Sequence, residues 1–142
     1  MRRHKKPNQG LWSPPGGKLL TSLGESPFEC AIREAKEEVG LVLTEKDLSM
    51  FGYVSEKNYE GDNHWLMFLF DCLKPTDILP QEFHEGYFSF FPRTEIDMLD
   101  IPSTDHQLVW PYYDQRHSGF WGIRADCSSK TADLMIEANP TF

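Results

Sequence analysis

A serine and a proline at one end and a glycine at the other confine the stretch SPFECAIREAKEEVG, Ser26 to Gly40, to one kind of structure. Ser26 offers a side-chain oxygen at the N-cap, Pro27 suits the first helical position where its missing N–H costs nothing, and Glu29 completes a capping box. Gly40 supplies the stop. Between these ends Phe28, Ala31, Ile32, Ala35 and Val39 recur at helical spacing, so a helix from Pro27 to Val39 is expected to pack one face on a core. The residues ahead of it, NQGLWSPPGGKLLTSLGES, carry Pro14, Pro15, Gly16, Gly17 and Gly24 and can only be loop. Glycines before a helix N-terminus let backbone approach a phosphate or a metal closely.

The other side of this helix is acidic. At roughly 100° per residue, Glu34, Glu37 and Glu38 fall within an arc of about 100°, shared with Cys30 and flanked by Arg33. Two carboxylates about 6 Å apart repel by about 3 kcal/mol at an effective dielectric of about 20. Lys36 points away, and Arg33 is expected to reach only one edge of the arc. Two readings follow: a solvated acidic face, as most charge runs on helices are, or a site for a divalent cation. Oxygen donors with an open side favour Mg²⁺ or Mn²⁺ over zinc.

The rest of the chain narrows the function classes. With 142 residues and 39% hydrophobic content, there is one proper core to bury and no room for a second full domain. A net charge of −8 argues against binding long nucleic acid, which rests on basic stripes that neutralise phosphates. The cluster RRHKK, Arg2 to Lys6, is the one concentrated positive patch: a disordered tip, or the lining of a phosphate site. Cys30, Cys72 and Cys127 are odd in number and widely spaced, which suggests neither a disulfide framework nor a zinc site and fits a reducing cytoplasm. No apolar run reaches membrane-spanning length, and no membrane partner is expected. The histidines show no metal-ligand spacing and no activated nucleophile is evident.

Past the helix, LSMFGYVSE and HWLMFLFDC read as strands joined by a turn over Tyr59 to Asn63. The second is apolar on both faces, which predicts a central strand. Tyr87 to Phe91 reads as a strand, STDHQLVWPYYDQRHSG as a helix disturbed by Pro111, and FWGIRADC as a last strand. Helices covering a mixed sheet, an α/β fold, are expected over residues 1–127, with 128–142 a tail in which the alternating Leu134 and Ile136 are able to add a strand.

The stretch from Gly17 to Leu41 resembles the Nudix box, whose pattern is G-x5-E-x7-R-E-U-x-E-E-x-G-U with U aliphatic. Glu25, Arg33, Glu34, Ala35 at the aliphatic slot, Glu37, Glu38, Gly40 and Leu41 match it. Leu19 stands where the pattern has its first glycine and Gly17 lies two residues earlier, so GGKLLTSLGE reads as the family's turn with a two-residue insertion. The resemblance implies the Nudix fold, a mixed β-sheet sandwiched between helices. It also implies a strand before the glycine loop, for which Met1 to Gly10 leave little room. A sheet lacking its usual N-terminal strand is expected, its edge covered by the tail or by a second copy in a homodimer, unless the natural start lies upstream of Met1.

The resemblance implies chemistry as well. A diphosphate repels hydroxide, so its cleavage needs cations that neutralise the phosphates and acidify water. Glu37 and Glu38 are implied as ligands of Mg²⁺ or Mn²⁺, Glu34 as ligand or base, and Glu25 as support for the loop or a second metal. Arg33 orients carboxylates through a bidentate bond. Glu85 occupies the place of an extra ligand or water-activating base, with Glu82 in reserve. NQGLWSPPGGK is similar to MutT-type members that hydrolyse nucleoside triphosphates, oxidised purines among them. That similarity implies a small nucleotide substrate, with Arg3 and Lys18 toward phosphate, Trp12 stacking a base and Asp105 accepting from a purine edge. ADP-ribose or a nucleotide sugar is the alternative substrate, and a nucleotide-sensing module without catalysis the alternative class.

Overall fold

The computed structural model describes residues 1–141. In chain order the regular elements are β1 (Arg2–Arg3), α1 (Pro27–Val39), β2 (Leu48–Tyr59), β3 (Asn63–Cys72), β4 (Gly86–Tyr87), α2 (Arg93–Ile96), α3 (Asp105–Leu108), α4 (Trp110–Asp114), β5 (Trp121–Asp126) and β6 (Asp133–Ala138). The architecture is α/β, with a mixed four-stranded sheet and a separate two-stranded one. Two compact units form, one from Met1–Leu48 with Cys72–Pro102, the other from Ser49–Asp71 with Ser103–Phe142. No helix among the described residues is long and apolar enough to cross a membrane.

The first unit is organised by α1 and the chain leading into it. Ser26 Oγ accepts from Glu29 N while Glu29 Oε2 accepts from Ser26 N, so the capping box closes as its residue types predict. Gly40 ends the helix at φ 68°, where a side chain would be strained. The residues α1 buries most are Cys30 and Glu38, whereas Phe28, Ala31, Ile32, Ala35 and Val39 are half-buried. Within the loop, Thr21–Leu23 form a single 3₁₀ turn closed by Gly24 at φ 66°, which accommodates the extra residues before Glu25. Arg2 and Arg3 pair antiparallel with Tyr87 and Gly86, so part of the basic segment is a short strand. Only Gly86–Tyr87 of the expected Tyr87 to Phe91 strand pairs; Phe88 to Phe91 continue without a ladder, Phe91 packing edge-on against Trp12 at 4.9 Å.

The second unit carries the sheet β3-β2-β5-β6. The parallel pairing of β2 and β5 sets Val54 opposite Ile123 and Glu56 opposite Ala125. Val54, Ile123 and Leu108 are fully buried and lie in a core with Phe51, Leu69, Tyr112 and Trp121. β3 lies at the sheet's edge, not its centre, and Leu66 on it is 59% exposed. The apolar content of both its faces reports what burial would gain, while sheet order is set by the pairing of β2 with the distant β5. The expected helix after Ser103 is two short ones that break at Val109, with Pro111 in the first turn of α4 where it needs no partner. β6 pairs antiparallel with β5, Leu134 opposite Ala125 and Ile136 opposite Ile123.

Candidate active site

Arg33 sits one helical turn after Cys30 and its guanidinium gathers Glu25, Glu34 and Glu37. Nε and Nη2 bond the two oxygens of Glu25 at 2.7 and 3.0 Å, a bidentate pair. Nη1 reaches Glu34 Oε1 at 2.6 Å and Glu37 Oε2 at 3.1 Å. Arg33 thus reaches the arc from its Glu37 edge as far as Glu34 and makes no bond to Glu38 at the other edge. The helical wheel places Cα positions, whereas a long side chain lying along the helix surface spans a turn in either direction.

Glu25 is held twice over. Its Oε2 also accepts from Leu20 N at 2.8 Å, and these hydrogen bonds, the one from Arg33 foremost, lower its pKa to about 2. It is ionised at neutral pH and ties the loop to the helix. Arg33 Nη2 adds a bond to the Lys18 carbonyl at 3.0 Å.

Glu38 is the exception among the acids, only 7% exposed. Its Oε2 accepts from Gly16 N at 3.0 Å. Burial pushes its pKa up to about 7, helped by the negative charges of Glu34 and Glu85 and opposed by the Gly16 bond and by Arg3. A buried carboxyl set between two others with so little to offset it is a group that a cation would stabilise in its charged form. Gly17 shows the same close fit, since a side chain there would overlap Glu34 Oε1.

Glu85 joins this group through its effect on Glu38, with its side chain near His84 and its carbonyl accepting from His4 N at 2.8 Å. Arg3 spends Nε on the Pro7 carbonyl and still bears on Glu38. Trp12 packs edge-on between Tyr87 and Phe91, at 5.4 and 4.9 Å, as part of an aromatic cluster. Asp105 belongs to the second unit, at the start of α3, where burial and then the charge of Glu56 raise its pKa to about 7. Glu82 is exposed and faces His4.

The donor set is all oxygen, which suits Mg²⁺ or Mn²⁺. Arg33 engages one oxygen each of Glu34 and Glu37, and Gly16 one of Glu38; among the described residues Glu34 Oε2, Glu37 Oε1 and Glu38 Oε1 carry no hydrogen bond. Among the described residues no group of three or more Asp, Glu, His or Cys is placed so that it could hold a metal ion. The sequence placed Cys30 on the acidic arc and let the glycine backbone approach a ligand, but it did not tell that Cys30 touches the Gly17 carbonyl, that Gly16 N bonds Glu38 or that the Lys18 carbonyl bonds Arg33. The signal for Cys30 was its place three residues before Arg33, on the same side of the helix. Compared with known families, residues 1–110, well over half of the chain, match the family model described as NUDIX domain.

Proposed function

Because the chain belongs to the Nudix family, we propose that it hydrolyses a phosphoric anhydride in a nucleotide, most specifically a purine nucleoside triphosphate to monophosphate and pyrophosphate. The observation that carries this reading is the buried Glu38 beside Glu34 and Glu85, with three carboxylate oxygens left open around an Arg33 that holds the remaining acids. Glu34, Glu37 and Glu38 would hold Mg²⁺ or Mn²⁺. Bound there, the cation neutralises phosphate charge and acidifies the attacking water.

The chain's own groups do the rest. Arg33 keeps Glu34 and Glu37 in place and, through Glu25, fastens the glycine loop to the helix. Glu85, with Glu34 as the other candidate, takes the proton as the water oxygen bonds to phosphorus and the anhydride oxygen leaves. Arg3 and Lys18 supply positive charge for the phosphates. The triphosphate reading draws support from the likeness of NQGLWSPPGGK to the MutT type and from the aromatic group around Trp12. Steady-state kinetics with Mg²⁺ over 8-oxo-dGTP, dGTP, dATP, ADP-ribose and a nucleotide sugar tests it. The triphosphates should lead in kcat/KM; a lead of more than tenfold for ADP-ribose or the sugar, about 1.4 kcal/mol, would move the substrate while leaving the hydrolase.

A further inference from the structure

Cys30 is 6% exposed and sits where α1 meets the glycine loop. Its Sγ donates toward the Gly17 carbonyl at 3.8 Å and accepts from Arg33 Nη2 at 3.6 Å. Burial, and next the charge of Glu25, push the thiol up to about 11, so the S–H proton is present throughout the neutral range. Besides the Gly16 bond to Glu38, the loop is held at three further points. Gly17 is held by Cys30, Lys18 by Arg33 at 3.0 Å, and Leu20 by Glu25 at 2.8 Å. Of these, Gly17 is the residue that presses on Glu34, with no space for even a methyl group between them. A Cβ at Gly17 would overlap the Glu34 carboxylate, which Arg33 holds through Oε1, so the Gly17 backbone lies close enough for its position to bear on that carboxylate.

We propose that Cys30 is a positioning residue: its thiol relays the Arg33 guanidinium to the Gly17 carbonyl, seats Gly17 against Glu34, and so fixes the carboxylate that faces the cation. This deepens the hydrolase reading and rests on it. Groups of this outer kind orient ligands without touching the metal, and their loss costs metal affinity or activity.

Three variants separate the roles of the thiol. Cys30→Ala removes the donor and some volume, Cys30→Val keeps apolar volume without a donor, and Cys30→Ser keeps a donor. Mn²⁺ affinity by calorimetry without nucleotide should fall about tenfold in the Ala and Val variants and recover in the Ser variant to within about threefold. The Glu34 side-chain carboxyl ¹³C shift of the metal-free protein should move in the Ala and Val variants and stay in place in the Ser variant. Filler without polarity restoring both readouts, as Val would if Cys30 only packs, overturns the proposal, as does an unmoved Glu34 signal in all three. If the unsubstituted protein neither binds Mn²⁺ nor hydrolyses a nucleotide, the hydrolase reading fails, and the Glu34 shift still decides what Cys30 positions.

Discussion

At the scale of single residues, Glu38 combines the conditions that make a carboxylate useful and costly: burial, two like charges nearby and one amide donor. Glu38→Gln should lower kcat/KM by at least about a hundredfold, since loss of a ligand exceeds loss of an outer partner. The same change should raise the melting temperature of the metal-free protein at pH 8. The folded-state pKa of Glu38 lies above its unfolded value, so its ionised form is disfavoured as pH rises through about 7, and Gln never ionises. A fall in melting temperature at pH 8, measured by calorimetry in chelator, would contradict this. Gly17→Ala tests the loop from the other side. The new methyl would collide with Glu34 Oε1, so activity should drop by about tenfold or more while the fold, read by circular dichroism, persists.

At the scale of elements, α1 owes its start to a capping box that is complete in both directions, and Ser26→Ala should cost about 1 kcal/mol in urea unfolding. The attachment of β6 depends on a different local device. Gly122 on β5 lies beneath the Tyr53 ring, where a Cβ would come within 2.8 Å of it. Tyr53 Oη then donates to Glu137 Oε2 at 3.0 Å, and Arg124 approaches the same carboxylate at 3.4 Å. β6 is thus clasped across β5 by a side chain from β2. Gly122→Ala should lift the ring, loosen β6 and cost about 1–3 kcal/mol, as overpacking does. Limited proteolysis should cut residues 128–142 sooner in the variant; equal cutting rates would show that the backbone ladder alone holds the strand.

At the scale of the whole molecule, the second unit carries an acid with no hydrogen bond among the described residues. Glu56 is 5% exposed opposite Ala125, and burial pushes its pKa up to about 7. The groups that bear on it are Asp105, also raised to about 7 by burial and then by Glu56, and Tyr59 and Cys127, raised chiefly by burial. All of them are neutral or negative. Stability from the protonated form of Glu56 is complete below its unfolded pKa and is lost as pH rises through about 7, a change of about 3 kcal/mol. Within this window the buried Met1 amino group, its pKa lowered to about 6, acts in the opposite sense and offsets part of the change, whereas Glu25 and Asp126, whose pKa values are also lowered, do so only in acid. Urea unfolding from pH 5 to 8 in chelator should therefore show stability declining with pH, and Glu56→Gln should lessen the decline, leaving the part due to Glu38 and Asp105, and be the more stable protein at pH 8. A parallel decline in the variant would assign the effect to other groups.

What the sequence determined by itself was local or chemical. The ends of α1 follow from Ser26, Pro27, Glu29 and Gly40 because a cap and a left-handed glycine act within one turn. The family follows from Glu25, Arg33, Glu34, Glu37 and Glu38 because chemistry at diphosphates calls for those groups at that spacing. Tertiary structure decided which carboxylate is buried, which three Arg33 bridges, and that β3 lies at an edge. A helical wheel tells which residues share a side but not what will cover it, and Glu38 is covered by residues from the loop and the N-terminal segment. Strand alternation likewise marks the faces of β3 but not its neighbours. Its place depends on β2 pairing in parallel with β5, a contact that no short stretch of sequence encodes and that only the folded chain can form.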